Sequence, residues 1–281
     1  MQHAIARPKR VRPGRIILYA ILIMGAFVMI FPFIWMILTS FKTEAQTIMV
    51  PLVFFPPQWS WFNYTEAFRT LPFGAMYVNT LLLIFYRVLC ATVFSSMAGF
   101  AFAKLKFPGK GFFFALIITQ LMLPGQIFII PQYQMVASLG QLNTLFALVF
   151  PGLVSAFGAF FLRQFYMSLP NDLMEAALLD GCNIPQTFVR ILFPLTKTAL
   201  FALAIFTAVF AYSDMMWPLI VNMQPNKMTL SAGINSLRGQ FSTNYPIMMA
   251  GSAVAMIPMI VLYVFMQRHF IEGIALTGTK A

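Results

Sequence analysis

Long apolar runs, each of about 20 residues or more, dominate this sequence and are separated by short polar stretches. A helix of that length spans the hydrocarbon core of a bilayer, where every backbone polar group must be hydrogen-bonded internally. Apolar residues make up 60% of the 281 residues, and charged residues make up only 9%. Soluble domains carry roughly one quarter charged residues. We therefore predict an all-α, polytopic membrane protein.

The apolar runs and the basic residues together predict the topology. We place six transmembrane helices at about 16–40, 76–103, 112–136, 144–165, 198–221 and 246–267. They form a transmembrane domain of residues 16–267, between a basic tail of residues 1–15 and a second tail of residues 268–281. The two tails, residues 104–111 and residues 163–197 hold 13 Lys and Arg residues on one side, against 4 on the opposite side. Because short basic loops stay in the cytoplasm, we predict that both termini are cytoplasmic.

The loop between the fourth and fifth predicted helices, residues 166–197, carries three of the seven acidic residues. Ionisable groups are costly in lipid, so this loop is predicted to face water. Asp172 is expected to cap a short helix over residues 173–180, with Glu175 completing a capping box. Gly181 is expected to end that helix in a left-handed conformation.

A second short helix is predicted in the same loop. Asn183 precedes it and Pro185 lies in its first turn, where the missing N–H of proline does no harm. Pro194 is expected to end it. Two capped helices in one loop indicate an ordered element that is more than a tether.

Sequence motifs for chemistry are absent. No G-x-x-x-x-G-K-[ST] phosphate loop is present, and His3 and His269 lie at opposite ends of the chain. There is no nucleophile elbow, and the basic residues form no patch with interleaved aromatics that would indicate nucleic-acid binding. Cys90 and Cys182 are predicted to be free thiols at different depths. The chain is therefore not expected to be an enzyme or to bind a metal or cofactor itself.

Two charged residues lie within predicted transmembrane helices. Arg87 is near the middle of the second, where it either faces a polar pathway or pairs with a partner subunit's acid or with backbone carbonyls. The sequence offers no obvious partner for it within this chain at the same depth. Asp214, near the outer end of the fifth helix, is expected to be a hydrogen-bonded polar residue near the interface. A proton relay would need several such groups.

Polar and helix-breaking residues mark the third and later helices. Gln120 and Gln126 either line a translocation pathway or hydrogen-bond between helices. Kinks are expected at the prolines within or at the edges of the predicted helices: Pro124, Pro131, Pro151, Pro218 and Pro258.

The segment EAALLDG at 175–181, followed by Ile191, Pro194 and Leu195, resembles the EAA signature of bacterial ABC-importer permeases. The motifs FPFIWMILTSFK at 31–42, NTLLL at 79–83 and WPLIVN at 217–222 are similar to those of the carbohydrate-uptake branch. Within that branch the chain resembles the shorter permease subunit of the maltose-type heterodimers. YSD at 212–214 departs from the aromatic-Asn-acid pattern of many relatives, which bears on the choice of substrate.

This resemblance implies a set of partners in the bacterial cytoplasmic membrane: a second, different permease, two cytoplasmic ATPase subunits and an extracytoplasmic solute-binding protein. ATP and Mg would be bound by the ATPase subunits. It also implies that Glu175, Ala176, Ala177, Asp180 and Gly181 form a coupling helix that docks on one ATPase. The alternative is that the acids only cap their own helix.

The resemblance implies import of a carbohydrate, and an oligosaccharide is the expected substrate. A glycerol-phosphate ester is the closest alternative, and Arg87 would favour it if it faced the pathway. A secondary transporter that works without ATP is a further alternative, but it would need coupling-ion sites within the helices, and the sequence shows few acids there.

Overall fold

A computed structural model of the protein describes residues 13–239 and 243–278. Its α-helices are, in chain order, α1 Pro13–Ser40, α2 Glu44–Thr47, α3 Phe62–Thr70, α4 Phe73–Lys104, α5 Lys110–Met122, α6 Ile129–Ser138, α7 Leu145–Val149, α8 Ala156–Ser168, α9 Asp172–Leu179, α10 Ile184–Thr187, α11 Phe193–Leu195, α12 Lys197–Ser213, α13 Met216–Val221, α14 Leu230–Ser236 and α15 Tyr245–Gly278. The prediction of an all-α fold is confirmed for this part of the chain. The predicted N-terminal tail lies mostly outside the described residues, and α15 continues through Gly278 into the predicted C-terminal tail.

Three helices are long and apolar enough to cross a membrane on their own: Ile17–Ser40, Phe73–Lys104 and Tyr245–Phe265. Three pairs of shorter helices satisfy the same criterion jointly, and each pair is bent at a short break. By length and composition, the described residues therefore provide between three and six membrane-spanning segments.

The third predicted transmembrane helix is not one continuous helix. The segments Lys110–Met122 and Gly125–Ser138 meet at an angle of 104°. Pro124 lies at the bend, and its ring disfavours helical backbone at Leu123, which is extended with ψ 138°. Pro131 and Pro258 lie within helices that continue past them, so a proline alone does not predict a break.

The fourth and fifth predicted helices are also interrupted. The fourth bends by 45° between Leu145–Gly152 and Ala156–Ser168, where Ser155 Oγ caps α8 by accepting a hydrogen bond from Gly158 N at 3.0 Å. The predicted fifth helix, 198–221, is broken at Asp214, where the backbone is extended between α12 and α13. The expectation of a continuous helix there is wrong, because a long apolar run does not reveal a break of two residues.

The described chain divides into two compact units. Of the described residues, one unit comprises 13–67, 239 and 243–254, and the other comprises 68–238 and 255–278. In the first unit, Asn63 at the start of α3 donates hydrogen bonds to Ser40 O at 2.9 Å and Lys42 O at 2.8 Å. Phe41 packs against Trp59, Trp61 and Tyr64, with ring centroids 5.0–5.3 Å apart. These contacts fix the chain just beyond the end of α1.

The second unit is built around α4, which packs along α8 and α12. The crossing of α4 and α8 is close, because a Cβ added at Gly99 would lie 2.8 Å from Arg163 N. Two apolar clusters fill this unit. One surrounds Leu83, Leu148 and Trp217, and the other surrounds Phe100 and Leu162.

Candidate functional site

The segment after α8 begins with α9, whose start differs from the expectation. Asp172 is the first helical residue, and Asn171 occupies the cap position without a side-chain capping bond. The prediction that Asp172 caps the helix is therefore wrong by one position. The side chain of Asn171 is bound elsewhere, because Lys104 Nζ donates to Asn171 Oδ1 at 2.7 Å and to Leu169 O at 2.7 Å. The end of α4 thus holds the start of α9.

The end of α9 matches the prediction. Gly181 has a φ of +84°, in the left-handed region that favours glycine. Gly181 N donates to Leu178 O at 3.1 Å and Cys182 N donates to Ala177 O at 2.9 Å. This pair of bonds is a Schellman motif, which satisfies carbonyls that the helix would otherwise leave unpaired.

The second short helix begins as predicted but extends further. Asn183 Oδ1 accepts from Gln186 N at 2.9 Å, and the Gln186 side chain accepts from Asn183 N at 2.9 Å. Pro185 lies in the first turn. The helix continues through a π-helical turn, Phe188–Leu192, and ends at Leu195, so Pro194 lies inside the last turn rather than at the stop.

The α9 segment presents acidic and apolar groups to the outside. Glu175 and Asp180 are exposed, and neither makes a side-chain hydrogen bond or ion pair within the described residues. Leu179 is 89% exposed, although leucine usually prefers burial. Ala177, by contrast, faces inward and is 2% exposed. One side of α9 is therefore packed, and the opposite side offers a leucine next to two carboxylates.

The α9–α11 segment is attached to the transmembrane helices through Tyr166, which is completely buried in α8. The Tyr166 hydroxyl forms a hydrogen bond with Ser96 Oγ of α4 at 2.6 Å and a longer one with Thr196 Oγ1 at 3.4 Å. Phe188, in the π-helical turn, packs on Phe100 of α4 with ring centroids 5.0 Å apart. These contacts pack the α9–α11 segment and the residue after it against α4 and α8.

A second polar site lies in the interior of the same unit. Arg87, which is 8% exposed, donates from Nη1 to Asp214 Oδ2 at 2.9 Å and from Nη2 to Leu148 O at 2.7 Å. Trp217 N donates to Asp214 Oδ1 at 3.4 Å, and Trp217 Nε1 donates to Ala147 O at 2.8 Å. These bonds join α4 to α7 and to the break between α12 and α13.

Arg87 also borders a cavity of about 180 Å³, which is lined in addition by Gly152, Ser155, Thr207 and Phe210. Its Nε is buried and has no hydrogen-bond partner within the described part of the chain. A Cβ added at Gly152 would lie 2.7 Å from Arg87 Cδ, so glycine is needed for the chain to pass this side chain. The Arg87 guanidinium is thus held by its ion pair with Asp214, by its hydrogen bond to Leu148 O and by close packing against Gly152.

Comparison with known proteins identifies the family. The profile of the family described as binding-protein-dependent transport system inner membrane component matches residues 91–275. The chain belongs to this family. The permease is 34% identical over 258 residues to the arabinooligosaccharides transport system permease protein AraQ of Halalkalibacterium halodurans, covering 91% of this chain and 92% of the relative. It is 30% identical over 264 residues to the sn-glycerol-3-phosphate transport system permease protein UgpE of Yersinia enterocolitica, covering 91% and 94%.

The fold of the permease agrees with this assignment. A chain in the crystal structure of a bacterial ABC transporter involved in the import of the acidic polysaccharide alginate superposes on it with a TM-score of 0.76. The match covers 94% of the permease and 100% of that chain at 21% identity, which supports the fold alone. The permease is a multi-pass membrane protein that works with other subunits of a transport system.

The structure brings some of the predicted site residues together and leaves others apart. The expectation that Arg87 has no partner within the chain is wrong, because the break after α12 carries Asp214 to it. Gln120 and Gln126 are exposed near the 104° bend, and neither hydrogen-bonds to this ion pair within the described residues. Both predicted free cysteines are confirmed as free thiols.

Sequence reasoning missed Lys104 and Tyr166 of the permease. In the sequence Lys104 is only a basic residue of a short loop, because its partners, Leu169 O and Asn171 Oδ1, lie 65 and 67 residues later. Tyr166 lies nine residues before the EAA segment, but a tyrosine near the end of a transmembrane helix resembles an ordinary interfacial residue. Its complete burial is a tertiary property with no local signal.

Proposed function

We propose that this chain is one of two different permease subunits in an ATP-driven importer of the bacterial cytoplasmic membrane. In this proposal the chain crosses the membrane six times, with both termini in the cytoplasm. A second permease, two ATPase subunits that bind ATP and Mg, and an extracytoplasmic solute-binding protein complete the complex. The observation that carries the proposal is the family match over residues 91–275, which includes all of α9–α13. The excess of basic residues on the side of the termini supports the orientation.

In this proposal Glu175, Ala176, Ala177, Asp180 and Gly181 form the docking site for one ATPase subunit. Exposed carboxylates that have no partner among the described residues suit basic groups of another protein, with which they would form charge-assisted hydrogen bonds. The exposed Leu179 beside them supplies the apolar contact that a protein interface needs at its centre. No side-chain capping bond and no capping box form at the start of α9. This weakens the alternative that the acids serve only to cap their own helix.

Coupling of the ATPase subunits to the transport pathway would follow from the contacts that hold α9–α11 in place. Closure of the ATPase subunits would move α9–α11, and the contacts of Lys104, Tyr166 and Phe188 would carry the movement to α4, α8 and α12. Packed helices shift as rigid bodies rather than deforming continuously. The pathway between the two permeases would then alternate between inward-facing and outward-facing forms.

An oligosaccharide is the proposed substrate. The arabinooligosaccharides permease of Halalkalibacterium halodurans, at 34% identity, supports this choice. The sn-glycerol-3-phosphate permease at 30% identity makes a glycerol-phosphate ester the second candidate. The charge of Arg87 is already paired with Asp214, so Arg87 gives the phosphate ester no particular support. Gln120 and Gln126 remain proposed pathway residues because both are exposed at the bend between α5 and α6.

The docking proposal is tested by Glu175→Lys and Leu179→Asp in the complete transporter. We expect both variants to insert normally, to lose copurification with the ATPase subunits and to abolish uptake. Glu66→Lys, the same charge change in α3 on the predicted outer side, should leave copurification unchanged. Full copurification and uptake in both α9 variants would refute the docking site. Comparing the uptake of arabinooligosaccharides with that of sn-glycerol 3-phosphate decides between the two proposed substrates. Uptake that continues without ATP would contradict the proposal of an ATP-driven importer.

A further inference from the structure

Lys42, two residues beyond the end of α1, is the most deeply buried cation in the described part of the chain. Its side chain is 1% exposed. Its Nζ donates to Val53 O and lies 4.1 Å from the centroid of the Trp35 ring. Within the described residues the only ion pair is that of Arg87 with Asp214, so no carboxylate balances the Lys42 ammonium. Burial lowers the pKa of Lys42, because desolvation disfavours the charged ammonium.

A cavity of about 250 Å³ lies beside this ammonium, within the unit that contains α1. Its polar lining comes from Lys42, Thr39, Gln46, Thr47 and the hydroxyl-bearing Tyr245. Thr39 is 4% exposed, and its Oγ1 has no hydrogen-bond partner among the described residues. A buried hydroxyl without a partner costs about 1–3 kcal/mol. The cavity therefore combines an uncompensated cation with an unsatisfied donor.

The rest of the lining is apolar and reaches the surface. Trp35, Leu52 and Met249 line the cavity, and Ile48, which also lines it, is 74% exposed. The volume corresponds to several water molecules at about 30 Å³ each, enough for a small anionic group with an apolar attachment. The site is thus amphipathic, with a cationic interior and an apolar mouth.

The position of the cavity indicates which ligand it would meet. The apolar helix Ile17–Ser40 ends two residues before Lys42 and is exposed over residues 17–34. Trp59, Trp61 and Tyr64 cluster around Phe41, next to Lys42, and tryptophan and tyrosine are enriched at the level of lipid headgroups. A lipid lying along α1 would therefore bring its headgroup to this cavity.

We propose that this cavity binds the phosphate group of an anionic phospholipid, with Lys42 supplying the charge and Thr39 a hydrogen bond. A compact ammonium is a suitable partner for phosphate. Glu44 does not line the cavity, and its Oε2 accepts instead from Asn244 Nδ2 at 3.3 Å. The proposal concerns lipid binding and does not depend on the transported solute or on the docking of ATPase subunits.

The test is lipid binding to the full-length permease, purified with its copurifying partners and stripped of lipid by detergent exchange. Phosphatidylglycerol, phosphatidylcholine and inorganic phosphate are titrated separately, and bound adducts are counted by native mass spectrometry. We expect phosphatidylglycerol to bind most tightly. Lys42→Met should weaken that binding by about tenfold or more, and Lys42→Arg should retain most of it. Lys227→Met, which removes an exposed cation on the same predicted side, is the matched control.

Thr39→Val keeps the test valid if Lys42→Met fails to fold. The substitution removes the unsatisfied hydroxyl at nearly constant shape, so without lipid the melting temperature should stay equal or rise. Phosphatidylglycerol affinity should nevertheless fall by about twofold to tenfold. Equal affinity in wild type, Lys42→Met and Thr39→Val would overturn the proposal. So would binding of inorganic phosphate alone, or the absence of any adduct, which would leave only water beside Lys42.

Discussion

Arg87 Nη1 lies 2.9 Å from Asp214 Oδ2, and this ion pair joins the interior of α4 to the break that follows α12. The side chains of the two residues are 9% and 24% exposed, so neither charge is fully hydrated. Asp214 lies on extended backbone at the C-terminal end of α12, and its carbonyl accepts from Ser231 Oγ at 2.8 Å. The pair therefore stabilises an interruption that apolar packing alone would not hold in place.

Removing one partner of this pair should be more harmful than removing both charges. Arg87→Met leaves the Asp214 carboxylate without its cation and Leu148 O without its donor. We expect a loss of about 3 kcal/mol, which corresponds to a fall of about 5–10 °C in melting temperature. Adding Asp214→Asn to Arg87→Met removes the uncompensated charge and should recover more than half of that fall. Thermal unfolding of the purified variants in detergent measures both effects.

The same Asp214→Asn change should destabilise the protein when Arg87 is present, so its effect changes sign between the two backgrounds. Arg69→Met, at an exposed position of α3, should change the melting temperature by less than about 2 °C. Additive effects of Arg87→Met and Asp214→Asn would show that the two residues are not coupled.

The close crossing of α4 and α8 depends on Gly99. Gly99→Ala would place a Cβ 2.8 Å from Arg163 N and 3.0 Å from Leu162 backbone, and backbone atoms cannot move aside as a flexible side chain does. We expect a cost of about 1–3 kcal/mol, visible as a lower melting temperature. Gly74→Ala is the control in the same helix, because outside the local helix backbone and the adjacent residues no described atom lies within 4 Å of its added Cβ. Equal stability of the two variants would contradict the close crossing.

Sequence patterns predicted the parts of this fold that depend on local chemistry. The apolar runs identified the helices, Gly181 identified the left-handed stop of α9, and Asn183 identified the cap of α10. The patterns could not predict that Asn171 accepts a hydrogen bond from Lys104, because Lys104 lies 67 residues earlier in the chain. Such long-range contacts depend on how the helices pack, and no residue type at a fixed sequence spacing predicts them.

The candidate site divides in the same way. The acids of α9 could be identified from charge density in an apolar sequence, because burial of charge in lipid is costly. The partner of Arg87 could not, since the break that moves Asp214 into reach is hidden within a run of apolar residues. The bend at Pro124 was predictable in kind, but its size of 104° depends on packing around it.

Lys104 should be important for coupling as well as for local order. Lys104→Met removes the hydrogen bonds to Leu169 O and Asn171 Oδ1 and frees the start of α9. Each bond from a charged donor contributes about 1.5–3 kcal/mol. We expect uptake to fall severalfold while the ATPase subunits still copurify, because the exposed face of α9 is unchanged.

The control for Lys104 is Lys106→Met, two residues further along the same loop, where the side chain is exposed. This variant changes the loop charge by the same amount but leaves the hydrogen bonds to the start of α9 in place. It should therefore transport at the wild-type rate. A similar loss of uptake in both variants would mean that the positive charge of the loop matters, and that the hydrogen bonds to the start of α9 do not.

Substitutions at Gly181 separate the backbone requirement from the proposed contact with an ATPase subunit. Its φ of +84° disfavours alanine by about 1–2 kcal/mol, whereas asparagine tolerates the left-handed region better. Apart from its two neighbours in the chain, no described residue has an atom within 4 Å of a Cβ added at Gly181, so side-chain size alone carries no cost among the described residues. Gly181→Asn should therefore have a higher melting temperature than Gly181→Ala. If an ATPase subunit approaches this position closely, uptake should follow the opposite order, because asparagine is the larger residue. Uptake that follows the order of melting temperatures would show that Gly181 serves only the turn after α9.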